Sequence, residues 1–222
     1  MRGQWSGRLI LKFFGFFMDV IALMKIAPEG LPFILITALV SLLAIGLCGF
    51  MFYFFRDPER QPPDRPDAFI CPADGRILLI RRIETSSPLG KPCLQISIFM
   101  SPFNVHVNRA PCDGTVSAVA HHDGRYFAAY KDEASVLNEN TEMTLTTAYG
   151  PILVRQVAGF LARRTVCRVH PGATLKQGQR FGIIRFGSRV DLYLPEKAEP
   201  SVKPGDVVHA GETIVAVLPP AS

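Results

Sequence analysis

Hydrophobic positions fall along this chain in two different rhythms. From residue 30 to residue 55 nothing is charged, and the run LPFILITALVSLLAIGLCGFMFYFF is apolar on every helical face. It exceeds the roughly 20 residues that a helix needs to cross hydrocarbon, so it predicts a membrane segment. A cleaved signal peptide has a shorter apolar core nearer the start. Here the run ends in aromatics and is followed by Arg56, Asp57, Pro58, Glu59 and Arg60, which predicts that it is retained. Upstream, residues 5–24 are also apolar, but Arg8, Lys12 and Asp19 fall within about 40° of one another on a helical wheel. That is the pattern of a helix lying in the membrane interface. Basic residues flank the long run on both sides, Arg2, Arg8, Lys12 and Lys25 before it and Arg56, Arg60 and Arg65 after it. The positive-inside rule therefore chooses no orientation. The favoured expectation is a hairpin that returns near Gly46 and Gly49 and keeps both basic flanks in the cytoplasm, ahead of a single span.

Residues 61–67 (QPPDRPD) carry no periodicity and read as a Pro-rich linker. Beyond them the rhythm shortens to alternating runs such as 76–83, 94–100 and 115–120, punctuated by Gly, Pro and Asp, which predicts a mostly β domain. The expected organisation is an anchor over 1–60, the linker over 61–67 and a β domain over 68–222. Two internal echoes add to this. PADGRI, with Asp74 and Gly75, is echoed by PCDGTV, with Asp113 and Gly114; VHPGATLKQGQ, with Gly172 and Gly178, is echoed by VKPGDVVHAGE, with Gly205 and Gly211. Self-similarity at fixed spacing marks a duplicated unit. The paired turns resemble the quasi-duplicated β-sandwich of lipoyl and biotinyl carrier domains, so a mainly β sandwich of that kind with an N-terminal helical membrane anchor is the expected fold.

Composition narrows the function classes. The formal net charge is +5, which beside a membrane segment favours an anionic lipid surface. Five cysteines, widely spaced and without a CxxC pair, suggest neither a disulfide framework nor a zinc site and point to a reducing compartment. No HxH or HExxH motif is present, so no metal is expected. The basic residues are scattered and the aromatics crowd the membrane segment, which argues against nucleic acid.

The candidate chemistry lies near the C-terminus, where Gly187 and Ser188 stand between the strands FGIIRF and VDLYLP. A Gly-Ser pair by itself is an ordinary turn. Its companions are RDPER after the apolar run, CPADGRI, SPFNVHVNRAPCDG, and HHDGRYFAAYKDEAS followed by Asn138, Glu139 and Asn140. In this order the segments resemble the short-chain form of the phosphatidylserine decarboxylases over most of residues 56–195. The resemblance implies a proenzyme that cuts itself between Gly187 and Ser188, through attack of the serine hydroxyl on its own preceding carbonyl. A glycine there lets the backbone fold closely. The products would be a large chain of 1–187 and a small one of 188–222, the latter capped by a pyruvoyl cofactor made from Ser188. That group would form a Schiff base with the substrate serine and take up the electrons left by carbon dioxide, giving phosphatidylethanolamine for phospholipid biosynthesis.

The resemblance also assigns roles. His106 is the candidate general acid or base, because imidazole titrates near neutrality. Long-form relatives carry a second histidine three residues on, used with an Asp and the Ser for self-cleavage; here that position is Arg109. The base for Ser188 is thus open between His106, His121 and His122. Asp74 matches the family's triad Asp and could orient the base, although an Asp-Gly turn needs no function. Asn104 stands where the long form has an acidic residue. Arg109, His121 and His122 are candidate substrate ligands, Arg109 because its planar fork suits phosphate or carboxylate, while His170 and His209 in the repeated turns read as surface residues. The expected partners are phosphatidylserine in an anionic membrane and the two chains of one precursor as a heterodimer, with a higher oligomer left open. The expected location is the inner membrane, with the catalytic domain facing the cytoplasm. The rival reading is a membrane-anchored adaptor or scaffold on the same fold, which would remain one chain. A carrier domain would need a modifiable Lys at a hairpin tip flanked by methionines, and that motif is missing.

Overall fold

The computed structural model describes residues 30–85, 87–127, 129–130, 134–159, 164–184 and 188–219, together with Gly15. Apart from Gly15, the interfacial helix expected over 5–24 lies outside the described residues, and so does Gly187. The chain divides into two compact units, Met1–Arg56 and Asp57–Ser222.

The first unit carries helix α1, Leu31–Phe54, with a proline in its first turn, where a missing N–H leaves no hydrogen bond unmade. Its 21 residues Ile34–Phe54 have a mean hydropathy of 2.5 and extend roughly 32 Å, about the thickness of the hydrocarbon layer. Leu42 and Leu43 are among its exposed side chains. The helix runs unbroken through Gly46 and Gly49, which corrects the expected hairpin. A glycine inside a helix costs about 1 kcal/mol, whereas a reversal within lipid would strand several backbone groups without partners. The unbroken helix wins on that comparison. At its end the Arg56 guanidinium lies 3.9 Å over the Tyr53 ring.

The second unit is built from fourteen strands among the described residues: β1 (Ala68–Ile70), β2 (Gly75–Ile83), β3 (Cys93–Met100), β4 (Val107–Arg109), β5 (Gly114–His122), β6 (Asn140–Thr147), β7 (Gly150–Ala158), β8 (Thr165–Cys167), β9 (Thr174–Leu175), β10 (Arg180–Ile184), β11 (Ser188–Pro195), β12 (Glu199–Pro200), β13 (Val207–Val208) and β14 (Ile214–Val217). A short helix, α2 (Ala134–Leu137), precedes β6. The predicted runs at 76–83, 94–100 and 115–120 fall within β2, β3 and β5. One eight-stranded sheet has the order β13-β2-β3-β11-β7-β6-β5-β9, and two three-stranded sheets have the orders β4-β10-β8 and β1-β14-β12. All the pairings between strands are antiparallel. Because side chains alternate along a strand, β11 sends Val190, Leu192 and Leu194 into the main core, where they meet Ile98 of β3, Val154 of β7 and Phe181 of β10. The opposite face of β11 carries Arg189, Asp191 and Tyr193.

The echoed segments make matching bonds. Asp74 Oδ1 accepts the Ala210 N–H at 2.7 Å, and Asp113 Oδ1 accepts the Gln177 N–H at 2.8 Å. Gly205 N–H donates to Ile77 and Gly172 N–H to Val116, while Gly211 N–H donates to Cys71 and Gly178 N–H to Ala110. Gly178 and Gly211 hold φ of +77° and +82°, a left-handed backbone that side chains disfavour. The repeated Gly in the sequence is therefore a repeated backbone requirement. Strands β13 and β9, which the two echoes contain, edge the eight-stranded sheet at its opposite ends.

Residues 57–67 lie on this β unit. A Cβ on Gly178 would stand 2.4 Å from Pro62 Cγ, and the Tyr149 hydroxyl donates to the Pro66 carbonyl at 2.6 Å.

Burial pushes the thiols of Cys71 and Cys112 from 9.0 up to about 12, and the phenol of Tyr193 from 10.0 up to about 12. The unfolded chain gives up these protons first, so the stability they contribute is complete below pH 9 and lost as pH rises toward 12. Chemical denaturation of the full-length chain carrying Ser188→Ala should show a midpoint falling over that window. Adding Cys71→Ala and Cys112→Ala should flatten the fall while lowering the neutral-pH plateau.

Candidate active site

His106 is placed by the turn before β4. The Asn104 side chain closes that turn, its Oδ1 accepting the Ser101 N–H at 2.8 Å while the Asn104 N–H donates to the Ser101 carbonyl at 3.0 Å. The Asn104 carbonyl then takes the His106 ring at Nδ1, 2.8 Å away. A carbonyl only accepts, so Nδ1 carries the proton and the neutral ring is basic at Nε2. His106 is fully buried. Its own carbonyl accepts the Ile184 N–H at 3.2 Å, and beyond it Val107 pairs with Ile183. The turn thus sets His106 against the last described residue before the Gly187–Ser188 bond.

Ser188 opens β11 between two neighbours, opposite Met100 of β3 and Ala158 of β7. It is completely buried. Its hydroxyl meets the Met100 thioether at 3.4 Å, a weak acceptor that leaves the oxygen lone pairs uncommitted. The same sulfur receives Asn108 Nδ2 at 3.9 Å, and Asn108 Oδ1 accepts Gln156 Nε2 at 2.7 Å. Gln156 stands opposite Val190, on the face that Ser188 shares, and its buried Oε1 has no hydrogen-bond partner among the described residues. β10 ends at Ile184 in a three-stranded sheet and β11 begins at Ser188 in the eight-stranded one, so the chain changes sheets between Ile184 and Ser188.

Arg189 follows at once and is also fully buried. It pairs through Nε with Asp191 Oδ1 at 2.6 Å and through Nη2 with the Ser97 hydroxyl at 2.9 Å. The second oxygen of Asp191 accepts the Ser135 hydroxyl from α2. Further along this face Arg155 donates to the Tyr193 hydroxyl at 3.0 Å and pairs with Glu142 at 2.6 Å.

Among the described residues, the other candidates make no side-chain bond to Ser188. Asp74 is held by Arg60 at 3.2 Å and by the Ala210 N–H, with His209 at 3.7 Å. Arg109 is spent on the carbonyls of Gly178 and Pro58 and on Asp57. His121 and His122 end β5, in one register row with Val190 and Arg189 but three strand spacings away, about 14 Å at the usual separation. His121 bonds Thr141 at 3.0 Å, and His122 stands 3.7 Å from Glu142. His170 caps its own turn through the Pro171 carbonyl. Cavities of about 550 Å³ beside Tyr149 and 430 Å³ beside Tyr193 are lined by neither Ser188 nor His106.

A family model described as phosphatidylserine decarboxylase matches residues 47–216. Three similar proteins are each named phosphatidylserine decarboxylase proenzyme. The one from Oleidesulfovibrio alaskensis is 46% identical over 86% of this chain and 94% of its own. The one from Magnetococcus marinus is 44% identical over 85% and 93%, and the one from Desulfotalea psychrophila 46% over 87% and 96%. This chain belongs to the phosphatidylserine decarboxylase family. The family's enzymes remove carbon dioxide from phosphatidylserine in phospholipid biosynthesis and are generally pyruvoyl-dependent, and the name proenzyme describes a precursor that is cleaved.

Within this decarboxylase fold, the residues that sequence reasoning missed are Arg189, Asp191 and Ser135. The available signal was a charged pair two apart in a strand whose alternate positions are all apolar, since charges seldom enter a central strand unless they are paired. Asp191→Ala should leave Arg189 buried without its countercharge and cost about 3–5 kcal/mol. Denaturation of the Ser188→Ala proenzyme with and without the substitution measures it, and a loss below about 1 kcal/mol, the value of an exposed pair, would contradict the assignment.

Proposed function

We propose that this phosphatidylserine decarboxylase cuts itself between Gly187 and Ser188 and that residue 188 becomes its pyruvoyl group. The observation that carries the reading is the Ser188 hydroxyl, sealed from water at the first position of a central strand and bonded, among the described residues, to a thioether alone, four positions after the Ile184 that bonds His106. An intramolecular attack needs no reactant from solvent, and a fixed neighbour gains the advantage of proximity. The hydroxyl attacks the carbonyl of residue 187, its proton passes to the departing amide nitrogen, and an ester joins the two halves. Loss of the residue-188 Cα proton then expels the carboxylate of residue 187 and leaves dehydroalanine, which water hydrolyses to pyruvoyl with release of ammonia.

His106 is the group suited to carry that proton. Its tautomer is set by Asn104, whereas His121 and His122 stand farther off than the roughly 3 Å that proton transfer requires. Asp74 serves its turn as Asp113 serves the equivalent one. Arg109 would have to leave Asp57 and Pro58 to meet a substrate anion. A pyruvoyl group fits the place of Ser188: it lacks the amine and the hydroxyl, and its methyl would face Met100 and Ala158, where a polar group finds little. Its carbonyl supplies the electron sink for decarboxylation. Helix α1 suits an anchor in the inner membrane, with the unit of residues 57–222 on the cytoplasmic side, where the free thiols of Cys71, Cys93 and Cys112 would stay reduced. The two chains would remain associated and take their substrate from the bilayer.

Intact mass measurement should find two polypeptides, 1–187 and a small one beginning with pyruvoyl ahead of Arg189. Ser188→Ala should stay whole. His106→Ala should lower self-cleavage or carbon dioxide release by about 10²-fold or more. A full-length single chain with normal carbon dioxide release would overturn the mechanism, and normal rates of both steps in His106→Ala would remove His106 from it.

A further inference from the structure

Strands β4 and β10 place Arg109 and Arg180 directly opposite each other. Like charges so placed repel, and Arg109 is almost completely buried. One carboxylate stands between them. Asp57 Oδ1 lies 3.1 Å from Arg109 Nη2, and Oδ2 lies 2.6 Å from Arg180 Nε, an ion pair rather than an aligned hydrogen bond. The Pro58 carbonyl accepts Arg109 Nη2 at 2.8 Å, and Glu59 pairs with Arg180 at 3.2 Å. The pKa directions agree with this geometry. Burial and the Arg180 charge lower that of Arg109, while at Arg180 burial is opposed by the carboxylates of Asp57 and Glu59, which together raise it.

The far ends of these two strands carry the arginine pair, and their near ends flank the cut. β4 begins one residue after His106, and β10 ends three residues before Gly187. Their contact at the near end is the bond from Ile184 N–H to the His106 carbonyl. Asp57 itself follows the last residue of α1 by three positions.

We infer that Asp57 is a positioning residue for self-cleavage. By bridging Arg109 and Arg180 it holds β4 against β10, and so fixes His106 beside the peptide bond that is cut. The residue that replaces the long form's second histidine is thereby given work: Arg109 is one jaw of a clip that seats the segment following the membrane anchor. This rests on cleavage before Ser188.

The test follows the appearance of the small chain on denaturing gels after pulse synthesis of the full chain with phospholipid vesicles, with Ser188→Ala as the uncut control. Asp57→Asn should slow cleavage about tenfold or more, since a displacement near 1 Å at the reacting groups costs up to 10²-fold. Asp57→Glu should retain the rate within about threefold, and Asp57→Asn combined with Arg180→Gln should cut faster than Asp57→Asn alone, because neighbouring sites are non-additive and the second change removes the repulsion. Added salt should speed Asp57→Asn more than the native chain, because it screens the partly exposed Arg180. A structural defect without this electrostatic origin would show neither rescue. Native-rate cleavage by Asp57→Asn, or a double variant slower than Asp57→Asn, overturns the clip. Should Asp57→Asn fail to fold, the double variant decides against Arg180→Gln alone, and must cut within about threefold of it. Cleavage of Ser188→Ala would instead overturn the reading of the cut site.

Discussion

The structure depends on the pairing of β11 with β3 on one side and β7 on the other. Eight consecutive residues from Ser188 to Pro195 meet β3, and six of them also meet β7. A strand bonded along both edges has little freedom to shift, because a slip of one residue would exchange its two faces. For β11 that exchange would drive Arg189 and Asp191 into the apolar core and put Val190 and Leu192 against Ser97 and Ser135. The register is therefore enforced from both faces, and Ser188, first in the strand, inherits that precision. The residue proposed as the nucleophile is fixed by a strand bonded along both edges.

The other half of the geometry comes from a different sheet. β10, which ends four residues before Ser188, is paired with β4, and β4 follows His106 directly. Nucleophile and imidazole are thus positioned by separate sheets that meet at the sheet-to-sheet crossing. This division makes the contacts between the small sheet and its surroundings matter as much as the site itself, and the ion pairs of Asp57 and Glu59 supply several of them. A segment that reads from composition as the approach to a linker is, in the folded chain, part of the support for β4 and β10.

What was legible in the sequence follows from which interactions are local. Alternation along 76–83 and 94–100 is a property of single strands, and both strands stand where it placed them. The echo of Asp74 and Asp113 was visible because each carboxylate answers to a turn with its own fixed glycine spacing, and the structure gives that spacing its reason in the φ of Gly178 and Gly211. Uninterrupted apolar residues announced α1, but basic flanks and two glycines could not show that it continues unbroken; that is decided by backbone bonding, to which composition is blind. Arg189, Asp191 and Ser135 were hidden for the opposite reason. Their significance depends on what covers the outer face of β11, and the covering residue comes from a helix some fifty positions earlier. Asp57 was hidden likewise, since nothing local in RDPER reveals that two arginines meet across strands 70 residues apart.

Cleavage at residue 188, as proposed, would remove one covalent bond and little else. The small chain begins with a central strand of the eight-stranded sheet and goes on to β12, β13 and β14, of which β13 bonds to β2 and β14 to β1 of the large chain, with β12 on β14. Withdrawing β11 would return Val190, Leu192 and Leu194 to water, at about 1.5–3 kcal/mol for each side chain, and would break a buried ion pair away from Ser97 and Ser135. Association of the cut halves is then a consequence of where the cut falls. A new chain end at the beginning of a doubly bonded strand stays in place, and the constraint that positions Ser188 for attack is the same one that would hold the group made from it.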